Sequence, residues 1–141
     1  VSKIRITRRA EFSASHFCRR ADWSDEQNRA VYGEAANPLG HGHNWVVEVT
    51  LEGEPDPETG MVFDLKVLKE ILHEEIVEPM DHRFLNYEVP PFDRVVPTAE
   101  NVAREIWRRL EPRVNGPHRR LRAVRVYETD DYFVECEGAP A

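Results

Sequence analysis

Apolar residues recur along this chain with two different periods. From Trp45 to Leu51 they alternate: Trp45, Val47, Val49 and Leu51 share one parity, with Glu48 and Thr50 between them. Period two marks a half-buried strand, so residues 42–53 are predicted to be extended. Residues 3–17 carry a weaker version of the pattern in Ile4, Ile6 and Phe12. Arg8 and Arg9 interrupt it, which predicts a long first strand with a bend or bulge. Leu121 to Thr129 and Tyr132 to Glu137 read as two further strands. Asp130-Asp131 would join them tightly as a hairpin.

The helical period appears twice in full. Leu65, Leu68, Leu72 and Ile76 fall on one stripe of a helix running from Leu65 to about Val77, with Asp64 as its cap and Pro79 as its stop. Val102, Ala103, Ile106, Trp107 and Leu110 form the stripe of a second helix, opened by Thr98 and reaching Pro112. A shorter helix is predicted from Asp25 to about Tyr32, with Ser24 and Gln27 at capping-box spacing and Gly33 beyond its end. The major elements run β-β-α-α-β-β. That order predicts an α+β fold, one domain over 1–141, with an antiparallel sheet covered on one face by two helices. The bare face and the sheet edges would then need partners, so an oligomer is expected.

Charge narrows the function classes. Lys plus Arg number 19 and Asp plus Glu 26, a net charge of −7. That balance argues against nucleic acid as partner. A small anionic ligand remains compatible, because Arg19, Arg20, Lys66 and Arg83 could form a local patch. No apolar run approaches the roughly 18 residues of a membrane span. The opening Val1-Ser2-Lys3-Ile4-Arg5-Ile6 has no apolar signal core, so a soluble cytoplasmic protein is expected. Cys18 and Cys136 are expected as free thiols.

The chemistry is concentrated in Gly40-His41-Gly42-His43-Asn44-Trp45. If the second strand starts near His41, then His41 and His43 project from one face, about 7 Å apart along the strand from two rises of roughly 3.3 Å. Imidazoles that close can converge on one metal ion. His16, closing the first strand, is the best third ligand. Three histidines with a vacant fourth position is the arrangement of a catalytic zinc. Without a CxxC pair, a structural zinc site is disfavoured.

Several segments together resemble the 6-pyruvoyl-tetrahydropterin synthase family, which includes the bacterial 6-carboxytetrahydropterin synthases of queuosine biosynthesis. They are Phe12-Ser13-Ala14-Ser15-His16, Ser24-Asp25-Glu26-Gln27-Asn28-Arg29, Asn37-Pro38-Leu39-Gly40-His41-Gly42-His43-Asn44, Met80-Asp81-His82-Arg83-Phe84-Leu85-Asn86, Pro97-Thr98-Ala99-Glu100-Asn101 and Val126-Tyr127-Glu128-Thr129. They span nearly the whole chain in family order. The resemblance implies a tunnelling fold (T-fold) whose subunits join as a homohexamer, a dimer of trimers, with active sites between subunits. It implies zinc held by His16, His41 and His43, a pterin anchored by Glu128, and Asp81 with His82 as the acid-base group. It implies 7,8-dihydroneopterin triphosphate as substrate.

One departure changes this expectation. The family carries a cysteine acting as general base shortly before the His-Gly-His, and here Ala35 stands in its place. Alanine cannot accept a proton. Either the chain has lost its base and binds pterin without turnover, or Glu34 serves instead, as a glutamate in this region does in members that cleave to 6-hydroxymethyl-dihydropterin, or Cys18 contributes.

Overall fold

In the computed structural model, which describes residues 2–139, a five-stranded sheet carries helices on one face. The elements are β1 (Ile4–His16), α1 (Asp25–Tyr32), β2 (His41–Gly53), α2 (Leu65–Leu72), α3 (Glu78–Met80), β3 (Arg83–Phe84), α4 (Leu85–Glu88), α5 (Ala99–Val114), β4 (Arg119–Thr129) and β5 (Tyr132–Cys136). The strand order is β3-β1-β2-β4-β5. The four long strands pair antiparallel, as the sequence predicts. The two-residue β3 is an addition and runs parallel to β1. It is too short to show a period.

Alternation sorts the two faces of the sheet. Trp45, Val47, Val49 and Leu51 are fully buried beneath the helices, with Phe12, Leu121, Val124 and Val126 beside them. From α5, Val102, Ala103, Ile106, Trp107 and Leu110 all enter this core, as predicted. From α2, Leu68 and Leu72 enter, but Leu65 stays 42 % exposed in the first turn and Ile71 is buried instead. Burying each of these aliphatic side chains contributes about 1.5–3 kcal/mol.

Both prolines are carried by their helices rather than ending them. Beyond α2 the backbone makes one wide π turn, His73–Val77, and continues as α3 through Pro79 to Met80. A proline at 79 has no N–H for the Glu75 carbonyl. Arg109 donates to that carbonyl from α5 at 3.2 Å, so the lost backbone bond is replaced from the neighbouring helix. Pro112 lies in the last turn of α5, which extends to Val114.

The opposite face of the sheet is polar rather than an unpaired apolar surface. Glu52 is bridged by Arg5 at 3.1 Å and Arg120 at 3.0 Å. Thr7 pairs with Thr50, Tyr127 donates to Glu48, and Arg125 meets Glu135 at 2.7 Å. Apolar side chains are a minority on this face, where Phe133 packs on Tyr127 and stays 43 % exposed. The open sheet edges, along the N-terminal part of β1 and along β5, still offer unpaired backbone groups.

Candidate active site

The end of the sheet that β1 leaves and β2 enters collects the predicted ligands. His16 is the last residue of β1, and its partner across the ladder is His41, the first residue of β2. His43 follows on the same face. Gly40 has a φ of +78°, and a Cβ there would meet the Phe84 ring at 2.7 Å, so only glycine fits this turn into β2. Trp45 forms the floor: its ring lies 5.0 Å from that of His16 and 5.6 Å from that of His43, and its indole N–H donates to the Ala14 carbonyl.

Glu128 reaches the same place from β4. Val126 pairs with Val134 and Thr129 with Tyr132, so two β4 residues, Tyr127 and Glu128, face one residue of β5. Such a bulge re-aims a side chain. One ligand atom from each of His16, His41, His43 and Glu128 lies within 4.8 Å of all the others.

Hydrogen bonding assigns the tautomer of His16. Its Nδ1 lies 2.8 Å from the Pro97 carbonyl, which can only accept, so Nδ1 carries the proton and Nε2 keeps its lone pair. That Nε2 sits 3.1 Å from His41 Nε2. His43 Nε2 is buried without a hydrogen-bond partner, and its nearest acidic oxygen, Glu128 Oε1, is 3.4 Å away. Burial lowers the His16 pKa to about 4, helped by His41 and His43 and opposed by the Pro97 hydrogen bond and the Glu128 charge. Burial likewise lowers that of His43. Neutral imidazoles are the form that ligates metal. An orphaned buried nitrogen beside two others and a carboxylate oxygen fits a divalent ion of zinc's preferences.

Asp81 and His82 are fastened to the other edge of β1. Asp81 Oδ1 accepts the Ser13 N–H at 2.8 Å, and the His82 N–H donates to the Ser13 carbonyl at 2.6 Å. Asp81 Oδ2 lies 2.9 Å from His82 Nδ1. The Ser13 N–H and then His82 hold the Asp81 carboxyl below its usual pKa. His82 has a φ of +60°, a left-handed backbone, and its side chain is 83 % exposed. His43 and His82 both line a cavity of about 510 Å³, with Ser13, Asn44, Arg83 and Phe84.

The remaining predicted residues do not join this cluster within one subunit. Glu34 lines a separate hollow of about 320 Å³ with Arg29, Gly33 and Asn37. The Ala35 carbonyl accepts the Cys18 N–H at 2.8 Å, so the backbones of these two residues are joined. Cys18 is buried and unbridged, as is expected of a free thiol, while Cys136 is free and partly exposed. Burial, with the Glu128 and Glu100 charges, pushes the Cys18 thiol up to about 11, which keeps it protonated. Two contributors escape the sequence: the Pro97 carbonyl, which has no side-chain signature, and Tyr132, whose hydroxyl donates to Glu128 Oε1 at 3.1 Å.

Residues 5–139 match the family model described as 6-pyruvoyl tetrahydropterin synthase. The chain is 46 % identical over 136 residues to the human 6-pyruvoyl tetrahydrobiopterin synthase, covering 96 % of this chain and 92 % of the relative. It is 30 % identical over 135 residues to the Pyrococcus furiosus dihydroneopterin monophosphate aldolase, covering 96 % and 98 %. The solved structure of the Caenorhabditis elegans 6-pyruvoyl tetrahydropterin synthase superposes with a TM-score of 0.89 at 34 % identity, covering 98 % and 97 %.

Proposed function

The chain belongs to the 6-pyruvoyl tetrahydropterin synthase family, and on that premise we propose that it is a zinc-dependent lyase acting on 7,8-dihydroneopterin triphosphate. The carrying observation is the convergence of three imidazoles and one carboxylate within 4.8 Å, with the buried His43 Nε2 left without a partner. The reaction class removes a carbon-bound proton; its electron pair enters the new double bond as the bond to triphosphate breaks.

His16, His41 and His43 would hold the zinc. When bound, zinc supplies Lewis acidity toward a side-chain oxygen of the substrate. Glu128, an acceptor with two oxygens, takes two hydrogen bonds from the pterin amino group and the adjacent ring N–H. Asp81 orients His82, which carries protons to and from the substrate side chain. The exposure of His82 suits a site completed by a second subunit, in a homohexamer of two stacked trimers in the cytoplasm. The 46 % identity to a 6-pyruvoyl enzyme favours that product over the 6-carboxy product of the queuosine branch.

A second reading has one specific support. The 30 % identical Pyrococcus relative is named an aldolase, and Glu34 is an exposed carboxylate one residue before Ala35. Cleavage to 6-hydroxymethyl-dihydropterin with Glu34 as base would follow. Incubating zinc-loaded protein with dihydroneopterin triphosphate separates the options. Release of triphosphate establishes the lyase, and 6-hydroxymethyl-dihydropterin establishes the cleavage. Tight pterin binding without product leaves a pterin-binding protein.

A further inference from the structure

Glu128 has two possible employments that compete. It can accept from a pterin ring, or it can move onto the metal as a fourth ligand, since its Oε1 is 3.4 Å from His43 Nε2. A fourth protein ligand would close the coordination place that catalysis needs. The same oxygen, Oε1, accepts the Tyr132 hydroxyl at 3.1 Å. Tyr132 is the first residue of β5, directly opposite Thr129, so the bulge that aims Glu128 also brings this phenol beside it.

We infer that Tyr132 is a positioning residue that holds Glu128 off the metal and presents it to the pterin. The inference rests on the assignment of Glu128 as pterin anchor. The physical reason is competition for one lone-pair donor: a carboxylate oxygen that accepts a hydrogen bond has less charge to give a cation. Burial and the Glu128 charge raise the phenol's pKa, so it remains a donor at neutral pH. Tyr132 is 47 % exposed, so losing its hydroxyl empties no core space.

The test compares Tyr132→Phe, Glu128→Gln and the double variant. Zinc affinity is measured by competition with a chelator, and neopterin affinity by fluorescence on zinc-loaded protein. Tyr132→Phe should tighten zinc and weaken neopterin, each by about tenfold, the scale of one hydrogen bond to a charged group. The tightening of zinc should vanish in the double variant, because the freed carboxylate is its cause. Tyr132→Phe within about twofold of the parent in both affinities overturns the inference. Zinc tightening that persists in the double variant overturns it as well. If Glu128→Gln itself leaves neopterin affinity unchanged, the anchor assignment fails, whatever Tyr132 does.

Discussion

Ala35 and Cys18 are joined by one backbone hydrogen bond, and each carries a separate test of the proposed chemistry. A thiol held near 11 is protonated at neutral pH and is a poor proton acceptor there. Cys18→Ala should therefore leave the rate of product formation within about twofold of the parent. Ala35→Cys should raise it by about a hundredfold, the lower end of the range for a positioned general base. An unchanged rate in Ala35→Cys would show that a missing base does not limit this chain. His41→Ala should abolish zinc retention, read by metal analysis of the purified protein, because it removes one of only three nitrogen donors.

At the scale of elements, the buried carboxylate Glu105 joins α5 to its surroundings. It meets Arg108 and Arg109 at 2.6 Å each, and Arg109 continues to the carbonyls of Glu75 and Pro90. Burial opposes ionisation of Glu105, but the two guanidiniums outweigh it, and its pKa lies below the usual value. A depressed folded pKa means that this stabilisation is fully present above the unfolded value of about 4.3 and drains away as pH falls through the folded value. Glu105→Gln should flatten the acid side of a melting-temperature profile below about pH 4.3. At pH 7 it should cost about 3 kcal/mol, measured by denaturant unfolding. Strands and helices were legible wherever a period ran long enough, as in Trp45 to Leu51 or Val102 to Leu110. Leu65 misled because a first-turn position can satisfy the helical spacing and still point to water. Pro79 misled because the remedy for its missing donor, Arg109, lies 30 residues away in sequence and is visible only once the helices pack.

At the scale of the whole molecule, the histidines were readable and their surroundings were not. His41 and His43 share a face because strand geometry is local, and His16 meets them because β1 and β2 are in register at their ends. The Pro97 carbonyl, the bulge that aims Glu128 and the phenol of Tyr132 depend on tertiary placement. So does the cross-linked polar face, where alternating charges look like ordinary solvated surface until Arg5 and Arg120 are seen to share Glu52. If the active site is built between subunits, two dead variants should rescue each other. His41→Ala and His82→Ala, unfolded together and refolded as a mixture, should regain roughly a quarter of parental activity where one intact half-site from each meets, a random-pairing expectation for a symmetric assembly. No recovery above the separate variants would place both residues of a working site in one chain.

His82 adopts a backbone that most side chains avoid, at a cost of about 1–2 kcal/mol for an ordinary residue. A chain selected only to fold would place glycine there. His82→Gly should then melt no lower than the parent while proton transfer is lost, the reverse of what glycine does in an ordinary strand or helix. On the proposed role of His82, foldability and turnover would pull this one position in opposite directions. With the proposed proton-carrying role, a histidine held there against the preference of its own peptide unit would mark chemistry taking precedence over architecture.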